Sequence, residues 1–414
     1  MLRNDLEMKG KKKARLEENP RKALLLKCSN LNRQVLTPEI ILYEILPWLP
    51  LESLFRFKLV CKEWNKAISS DSVLRATQCR KSMHHPPGLM YDGLGENTIF
   101  LDQSSKCTVM KHLNLIGSSN GLLCCSVTRE GIEHFIVMNP ITREGALVAN
   151  SRHLADVTMA FEPSGCHPYF ALVTRQVINV EYNVNGQCIN TMGFTLYSSE
   201  TRTWTVARAK VRIFRKSFRR VWGKSQYRSV YVGGKVYWKI VRDVFWFDIK
   251  EDSAGTVTVP NMGDKDPHGE IGDLNGELSY STISAEDMVV WVLRADQEKK
   301  WVQKHRVLLT DIFKGISDNI PSCCKNAVLR LFKKSNKGLP SASGRRALPC
   351  EGGNLLFWAT HGTSMLEGIV FSYNMETKAL RIIHDSQMER WGLSLFTYKR
   401  SLASVPKVSS STTA

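Results

Sequence analysis

Few stretches of this 414-residue chain place reactive residue types at spacings that could do chemistry. The sharpest is Gly117-Ser118-Ser119-Asn120-Gly121, which fits G-x-S-x-G, the pattern of a nucleophilic serine at a strand-to-helix elbow. An elbow needs a helix directly after it, and here Leu122 to Val127 is a strand-like apolar run, so the glycines fit a tight turn better. Asp92-Gly93-Leu94-Gly95 lacks the third glycine and the βαβ setting of a dinucleotide site. The eleven cysteines form no C-x-x-C, and the adjacent pairs Cys124-Cys125 and Cys323-Cys324 suit neither a zinc knuckle nor a disulfide framework. His84-His85 has no ligand partner at metal spacing and precedes Pro86-Pro87, as a connector would. Glu286-Asp287 falls in a turn and reads as a solvated pair. The expectation is no catalytic residue, no metal site and no cofactor.

Binding is the chemistry left. From 208 to 228, Arg208, Lys210 and Arg212 alternate with Ala209, Val211 and Ile213, which on a strand puts three cations on one face. Arg215, Lys216, Arg219, Arg220, Lys224 and Arg228 follow, interleaved with Phe214, Phe218, Trp222 and Tyr227. Three readings stay open. Cations with aromatics bind single-stranded nucleic acid through phosphates and base stacking. Arginine forks also hold acidic or phosphorylated peptides, for which Arg212, Arg215, Arg219, Arg220 and Trp222 are the candidate substrate contacts. The aromatics could equally pack inside while the cations stay solvated.

The net charge of +18, from 57 Lys+Arg against 39 Asp+Glu, points to acidic partners without choosing among protein, nucleic acid and membrane surface. No apolar run approaches the ~18 residues of a membrane span, so no membrane partner is expected. The opening residues lack the apolar core of a secretory signal, and no N-x-[ST] sequon occurs. A reduced location, nucleus or cytoplasm, fits the cysteine usage. Lys9 to Arg15 has the composition of a nuclear import signal and equally of a solvated arm.

The elements that would present a partner surface start at Pro38. Ile41, Leu42, Ile45, Leu46 and Leu49 make one apolar stripe of helical period, with Thr37 as a possible N-cap. Pro50 breaks it, and Leu54, Phe57, Val60, Cys61, Trp64 and Ile68 restart the pattern. A unit of about 45 residues cannot enclose that much apolar surface. The surplus either packs on the rest of the chain or takes a partner helix.

From Leu115 the texture changes to short strands separated by polar turns. Gly121, Gly234, Gly276 and Gly353 mark turns spaced 113, 42 and 77 residues apart. A period near 40 fits these gaps as between two and three, one, and about two units, the spacing of propeller blades. The expected architecture is α+β multidomain: a small all-α unit, then an all-β domain, read as a β-propeller of about six blades, with a twisted β-sandwich as the alternative. The divisions are a disordered basic arm at 1–35, helices at 36–81, a linker at 82–110, the β domain at 111–400 and a disordered tail at 401–414.

Leu49-Pro50, Ser53-Leu54, Arg56-Phe57, Val60-Cys61-Lys62, Trp64 and Ile68-Ser69 resemble an F-box. Gly117 to Cys124 followed by Asn139-Pro140-Ile141-Thr142-Arg143 resembles the start of the domain that follows the F-box in a large plant family. Thr37 stands where that family has leucine, and Ile40 where it has an acid. The resemblance implies the substrate-recognition subunit of a Skp–cullin–F-box ubiquitin ligase. The helices would dock a Skp-type adaptor, and through it a cullin, while the β domain held an unidentified protein to be ubiquitinated. Residues carried over as adaptor-facing or supporting are Pro38, Ile41, Leu42, Ile45, Leu46, Leu49, Pro50, Leu54, Val60, Cys61 and Trp64. The alternative is an F-box-containing nucleic-acid-binding or scaffold protein acting through the basic β domain.

Overall fold

The computed structural model describes residues 36–82, 88–93, 97–101, 107–111, 113–129, 131–149, 157–163, 168–215, 229–240, 243–260, 269–284, 286–294, 300–314, 345–347, 353–360, 368–386 and 395–406. The N-terminal segment, His84-His85, Cys323-Cys324 and the rest of residues 315–344 lie outside them.

Thr37 opens the helical unit, its Oγ1 accepting the Ile40 N–H at 3.4 Å. The stripe expected on a regular helix is split, because α1 (Ile40–Ile45) is wound as a π-helix and Leu46–Trp48 tightens into a 3₁₀ turn. Changing from wide to tight winding turns Leu46 inward and Ile45 outward. Leu49 is extended, as a residue before proline must be. Pro50 then caps α2 (Leu51–Phe57). Cys61 caps α3 (Lys62–Ser70), its sulfur accepting the Trp64 N–H at 3.4 Å. Asp71 Oδ1 accepts the Leu74 N–H at 2.8 Å in the first turn of α4 (Ser72–Ser82) and takes Tyr43 Oη–H on its other oxygen. Phe57 meets Trp64 edge-on at 5.4 Å, which fastens α2 to α3.

The rest of the described chain forms six four-stranded antiparallel sheets. β1 (Gly88–Gly93), β2 (Asn97–Leu101) and β3 (Cys107–Lys111) begin the first. β4 (Asn114–Ser119), β5 (Leu122–Arg129), β6 (Ile132–Asn139) and β7 (Glu144–Val148) make the second. The third holds β8 (Thr158–Glu162), β9 (Tyr169–Tyr182), β10 (Cys188–Ser198) and β11 (Thr203–Arg215). β12 (Ser229–Val232), β13 (Lys235–Ile240), β14 (Asp243–Asp248) and β15 (Ser253–Thr258) form the fourth. β16 (Glu270–Leu274), β17 (Glu277–Ile283), β18 (Asp287–Leu293) and β19 (Trp301–Leu308) form the fifth. After α5 (Leu309–Lys314) come β20 (Arg345–Ala347), β21 (Asn354–Thr360), β22 (Gly368–Asn374) and β23 (Leu380–Ser386). β24 (Leu395–Tyr398) returns to pair with β1, so five sheets use consecutive strands and the first joins both ends of the domain.

This is a β-propeller rather than a sandwich. The first strands of successive sheets are neighbours, β24 beside β4, β4 beside β8, β8 beside β12 and β12 beside β16. The core is accordingly divided into wedges between adjacent sheets. Phe135, Phe161, Phe170 and Tyr197 fill the one between the second and third, and Phe194, Trp238, Phe245 and Phe247 the next. Two outer-strand tryptophans pin a sheet to its predecessor: Trp204 Nε1–H donates to Ala149 O at 3.0 Å, and Trp301 Nε1–H to Thr258 O at 2.8 Å.

The four glycine turns all join the first and second strands of a sheet, with φ of +91°, +85°, +83° and +74° at Gly121, Gly234, Gly276 and Gly353. The 77-residue gap is one sheet enlarged by the insertion after β19, not two. The expected linker at 82–110 is corrected as well: from Gly88 it supplies three strands of the first sheet. So is the tail, where Ser401, Leu402, Ala403 and Val405 are buried.

Candidate functional site

The motif at 117–121 is a structural turn. β5 follows it directly, as the apolar run predicted, so no helix starts after the serines as an elbow requires. Asn120 and Gly121 both have positive φ, the pairing that Asn-Gly adopts in a tight hairpin. Ser118 Oγ–H donates to Thr397 O on β24, Ser119 Oγ accepts the Phe161 N–H at 3.1 Å, and Asn120 Nδ2–H donates to Phe161 O at 2.7 Å. Gly121 has no alternative: a Cβ there would lie 1.9 Å from Ser401 Oγ.

The second motif turn holds the same returning segment. Asn139, fully buried, donates from Nδ2 to Ser401 O at 3.0 Å and Ala403 O at 2.7 Å. Its Oδ1 accepts the N–H groups of Ile141 and Thr142, closing the turn in which Arg143 takes positive φ. Segment 401–405 therefore lies in a seam between the two domains. On the helical side, Gln78 Oε1 accepts the Leu402 N–H at 2.8 Å, and Arg75 Nε–H donates to Leu402 O at 2.8 Å. Leu402 itself packs with Leu46, Leu51, Leu54, Ile68 and Leu74.

Arg75, with 7% of its side chain exposed, forks onto Glu144 with N–O distances of 2.8 and 2.6 Å. Half-burial alone pushes the Glu144 carboxyl up. The Arg75 fork and the Val405 N–H outweigh that and hold it below the usual carboxylate value. Burial pushes the Cys79 thiol up to about 12. It stays protonated and donates to Asn120 O at 3.1 Å, a structural role rather than a nucleophilic one. Arg400 adds an outer ion pair to Glu52 at 2.6 Å.

Away from the seam the helices leave apolar surface in solvent. Leu59 is 87% exposed, Val60 61%, Leu36 53%, Trp48 51%, Ile40 42% and Ile45 38%. Lys81 Nζ sits 3.7 Å from the centre of the Trp48 ring, which keeps the indole fixed at the surface. Among the residues carried over, Pro38, Ile45, Pro50 and Val60 are exposed, and Ile41, Leu42, Leu49, Cys61 and Trp64 are partly buried. Leu46 and Leu54 are enclosed in the helical core and support the surface without reaching it. Leu59 and Trp48 escaped notice because they lie off both helical stripes.

The basic stretch keeps its predicted alternation. Arg208, Lys210 and Arg212 are exposed on β11, while Val211 and Ile213 are buried. Arg208 pairs with Asp252 at 3.1 Å and Arg212 with Glu181 at 3.0 Å. Arg215 ends the strand, and Arg219, Arg220 and Trp222 lie outside the described residues. Asp287, expected to be solvated, is buried and takes Arg306 at 2.7 Å. Among the described residues no three His, Cys, Asp or Glu side chains gather as metal ligands, and no helix is long and apolar enough to cross a membrane.

Comparison with known proteins bears on the helical unit. Residues 38–81 match the F-box-like family. The chain is 33% identical over 124 residues to F-box protein At5g49610 of Arabidopsis thaliana, covering 28% of this chain and 34% of that protein. The match thus spans about a third of the curated relative's length. Two solved structures are more distant. TolB from Acinetobacter baumannii is 9% identical with a TM-score of 0.39, over 82% of this chain and 71% of TolB. The acylaminoacyl peptidase of Pyrococcus horikoshii is 8% identical with a TM-score of 0.33, over 70% of this chain and 41% of the peptidase. At these scores neither carries an argument about function. The matched segment coincides with the helices at 38–81: this chain has an F-box-like domain, followed by a β-propeller.

Proposed function

We propose that the chain is the substrate-recognition subunit of a Skp–cullin–F-box ubiquitin ligase, working in the nucleus or cytoplasm and without an active site of its own. One observation carries this: an F-box-like domain whose Ile45, Trp48, Leu59 and Val60 remain in solvent while its other side is closed against the propeller. Exposed apolar surface of this kind on a small helical unit suits a partner helix. The adaptor would seat there and link to the cullin, and the propeller would hold the target. Catalysis would then be by proximity, raising the local concentration of target lysines at the charged carrier enzyme.

The test is co-purification with a Skp-type adaptor. Full chain should bind, and a chain carrying Ile45→Asp, Leu59→Asp and Val60→Asp should not, with the melting temperature of the propeller unchanged. Undiminished binding by that triple variant sinks the assignment of the surface, and absence of binding by the full chain sinks the ligase reading.

A further inference from the structure

The third sheet is unlike the other five. Its strands β9, β10 and β11 run 14, 11 and 13 residues, against three to eight in the described strands of the other sheets. β8 covers β9 only from Tyr169 to Val173, where Val173 faces Thr158. Beyond that point β9 continues for nine residues, 174–182, pairing with β10 on one side. Among the described residues no strand pairs with its other edge.

Direction follows from topology. β8 ends at the seam, where Phe161 and Pro163 line a small cleft with Ser72, Ala76 and Cys79 of α4. β9 runs back past the start of β8, so 174–182 and the turn at 183–187 project from the propeller face opposite the F-box-like helices.

The side chains on this extension are not those of an ordinary solvated hairpin. Cross-strand register puts Val177, Val180 and Tyr182 on one face, in rows with Met192, Asn190 and Cys188. Val177 and Val180 are each 50% exposed and Tyr182 73%, and Val184 at the tip is fully exposed. The other face carries Asn179, Glu181, Lys210 and Arg212. Across 174–191 and 205–215 there are five Lys and Arg against one Glu. Edge strands are normally blunted by charge, proline or bulges. Here the devices are a bulge at Ile178, whose side chain lies across Gly193, and the charges of Arg175 and Glu181.

We propose that the exposed edge of β9 at 176–182 takes an extended acidic peptide segment of the protein substrate as an added strand. Main-chain hydrogen bonds would give affinity, alternate apolar side chains would meet Val177, Val180 and Tyr182, and carboxylates would answer Arg212, whose guanidinium reaches across β10 to Glu181 on β9. This deepens the substrate-receptor reading and rests on it for the word substrate, but the peptide site itself is a property of the propeller.

The experiment is selection from a randomised twelve-residue peptide library on the full chain. It is followed by affinity measurement on wild type, on Val180→Asp with Tyr182→Asp, and on Lys210→Glu with Arg212→Glu. Selected peptides should be rich in Asp and Glu with apolar residues at alternate positions. The first variant should lose at least about tenfold in affinity, and the second should weaken binding and flatten its dependence on salt. Because all four residues are exposed, an unchanged melt shows that the losses are local. No selected peptide, or peptides indifferent to both variants, overturns the proposal. So does capture of single-stranded oligonucleotide in preference to acidic peptide, or a concentration-dependent dimer abolished by the first variant. Adaptor co-purification on the same samples separates the two ideas: peptide binding without adaptor binding removes the ligase reading alone, and adaptor binding without peptide binding removes this site alone.

Discussion

The two sides of the F-box-like helices are built from different chemistry. Toward the propeller, Arg75, Gln78 and Cys79 each spend their hydrogen bonds on named acceptors or donors, and Leu402 completes the apolar core. Away from it, Leu59, Val60 and Trp48 are large apolar groups facing water. A buried polar seam demands geometry, since each orphaned group costs about 1–3 kcal/mol, whereas an apolar surface tolerates whatever complementary shape meets it. The contrast teaches that one side is finished within this chain and the other is not.

Predictions that would break the contrast fall in order of size. Leu46→Asp puts a carboxylate where the side chain is 1% exposed and should cost more than about 4 kcal/mol, unfolding the helices along with the surface they carry. Circular dichroism in the helical band reads it, and retention of the native melt would show that this core is not closed. Gly121→Ala combines positive φ with a clash on Ser401 and should destabilise by about 2–6 kcal/mol, seen as a lower melting temperature. A neutral outcome means segment 401–405 can leave the seam freely.

Asn139→Ala, which orphans the carbonyls of Ser401 and Ala403, should cost about 2–4 kcal/mol and raise hydrogen exchange in that segment. The Glu144 carboxyl is held low, so its stabilising share is present above the ordinary value of 4.5 and is lost as pH falls through its folded value. Acid melts of wild type should therefore decline more steeply below that point than those of Glu144→Gln. Identical slopes would mean that the Arg75–Glu144 pair does not hold the seam. Smallest of all, Leu59→Asp should move stability by less than about 0.5 kcal/mol, because the side chain is already in water. A large loss would place that residue on the finished side.

How much of this the sequence disclosed depended on the range of the interactions involved. Turn chemistry is local, and Gly121 and Gly276 marked their turns correctly. Alternation placed Arg208, Lys210 and Arg212 on one face of β11. The partition of the helical stripe was hidden, because π winding followed by a 3₁₀ turn overrides the 3.6-residue period on which Leu46 and Ile45 share a face. The packing of 401–405 was hidden too: Leu-Ala-Ser-Val-Pro has no periodicity, and its partners at Arg75, Gln78 and Asn139 are more than 260 residues distant in sequence. His84-His85, read as part of a connector, lies outside the described residues.

The return of β24 to β1 has a consequence for synthesis. The helices leave the ribosome early, yet their seat against the propeller includes Leu402 and Ala403, which are made some 320 residues after α4. At about 5–20 residues per second the wait is on the order of tens of seconds. During that interval β1 has no partner on its inner edge and Arg75 lacks the carbonyls it will hold. A nascent or prematurely terminated chain thus exposes both an open sheet edge and an unseated helix pair, which marks it for chaperones until its last strand arrives.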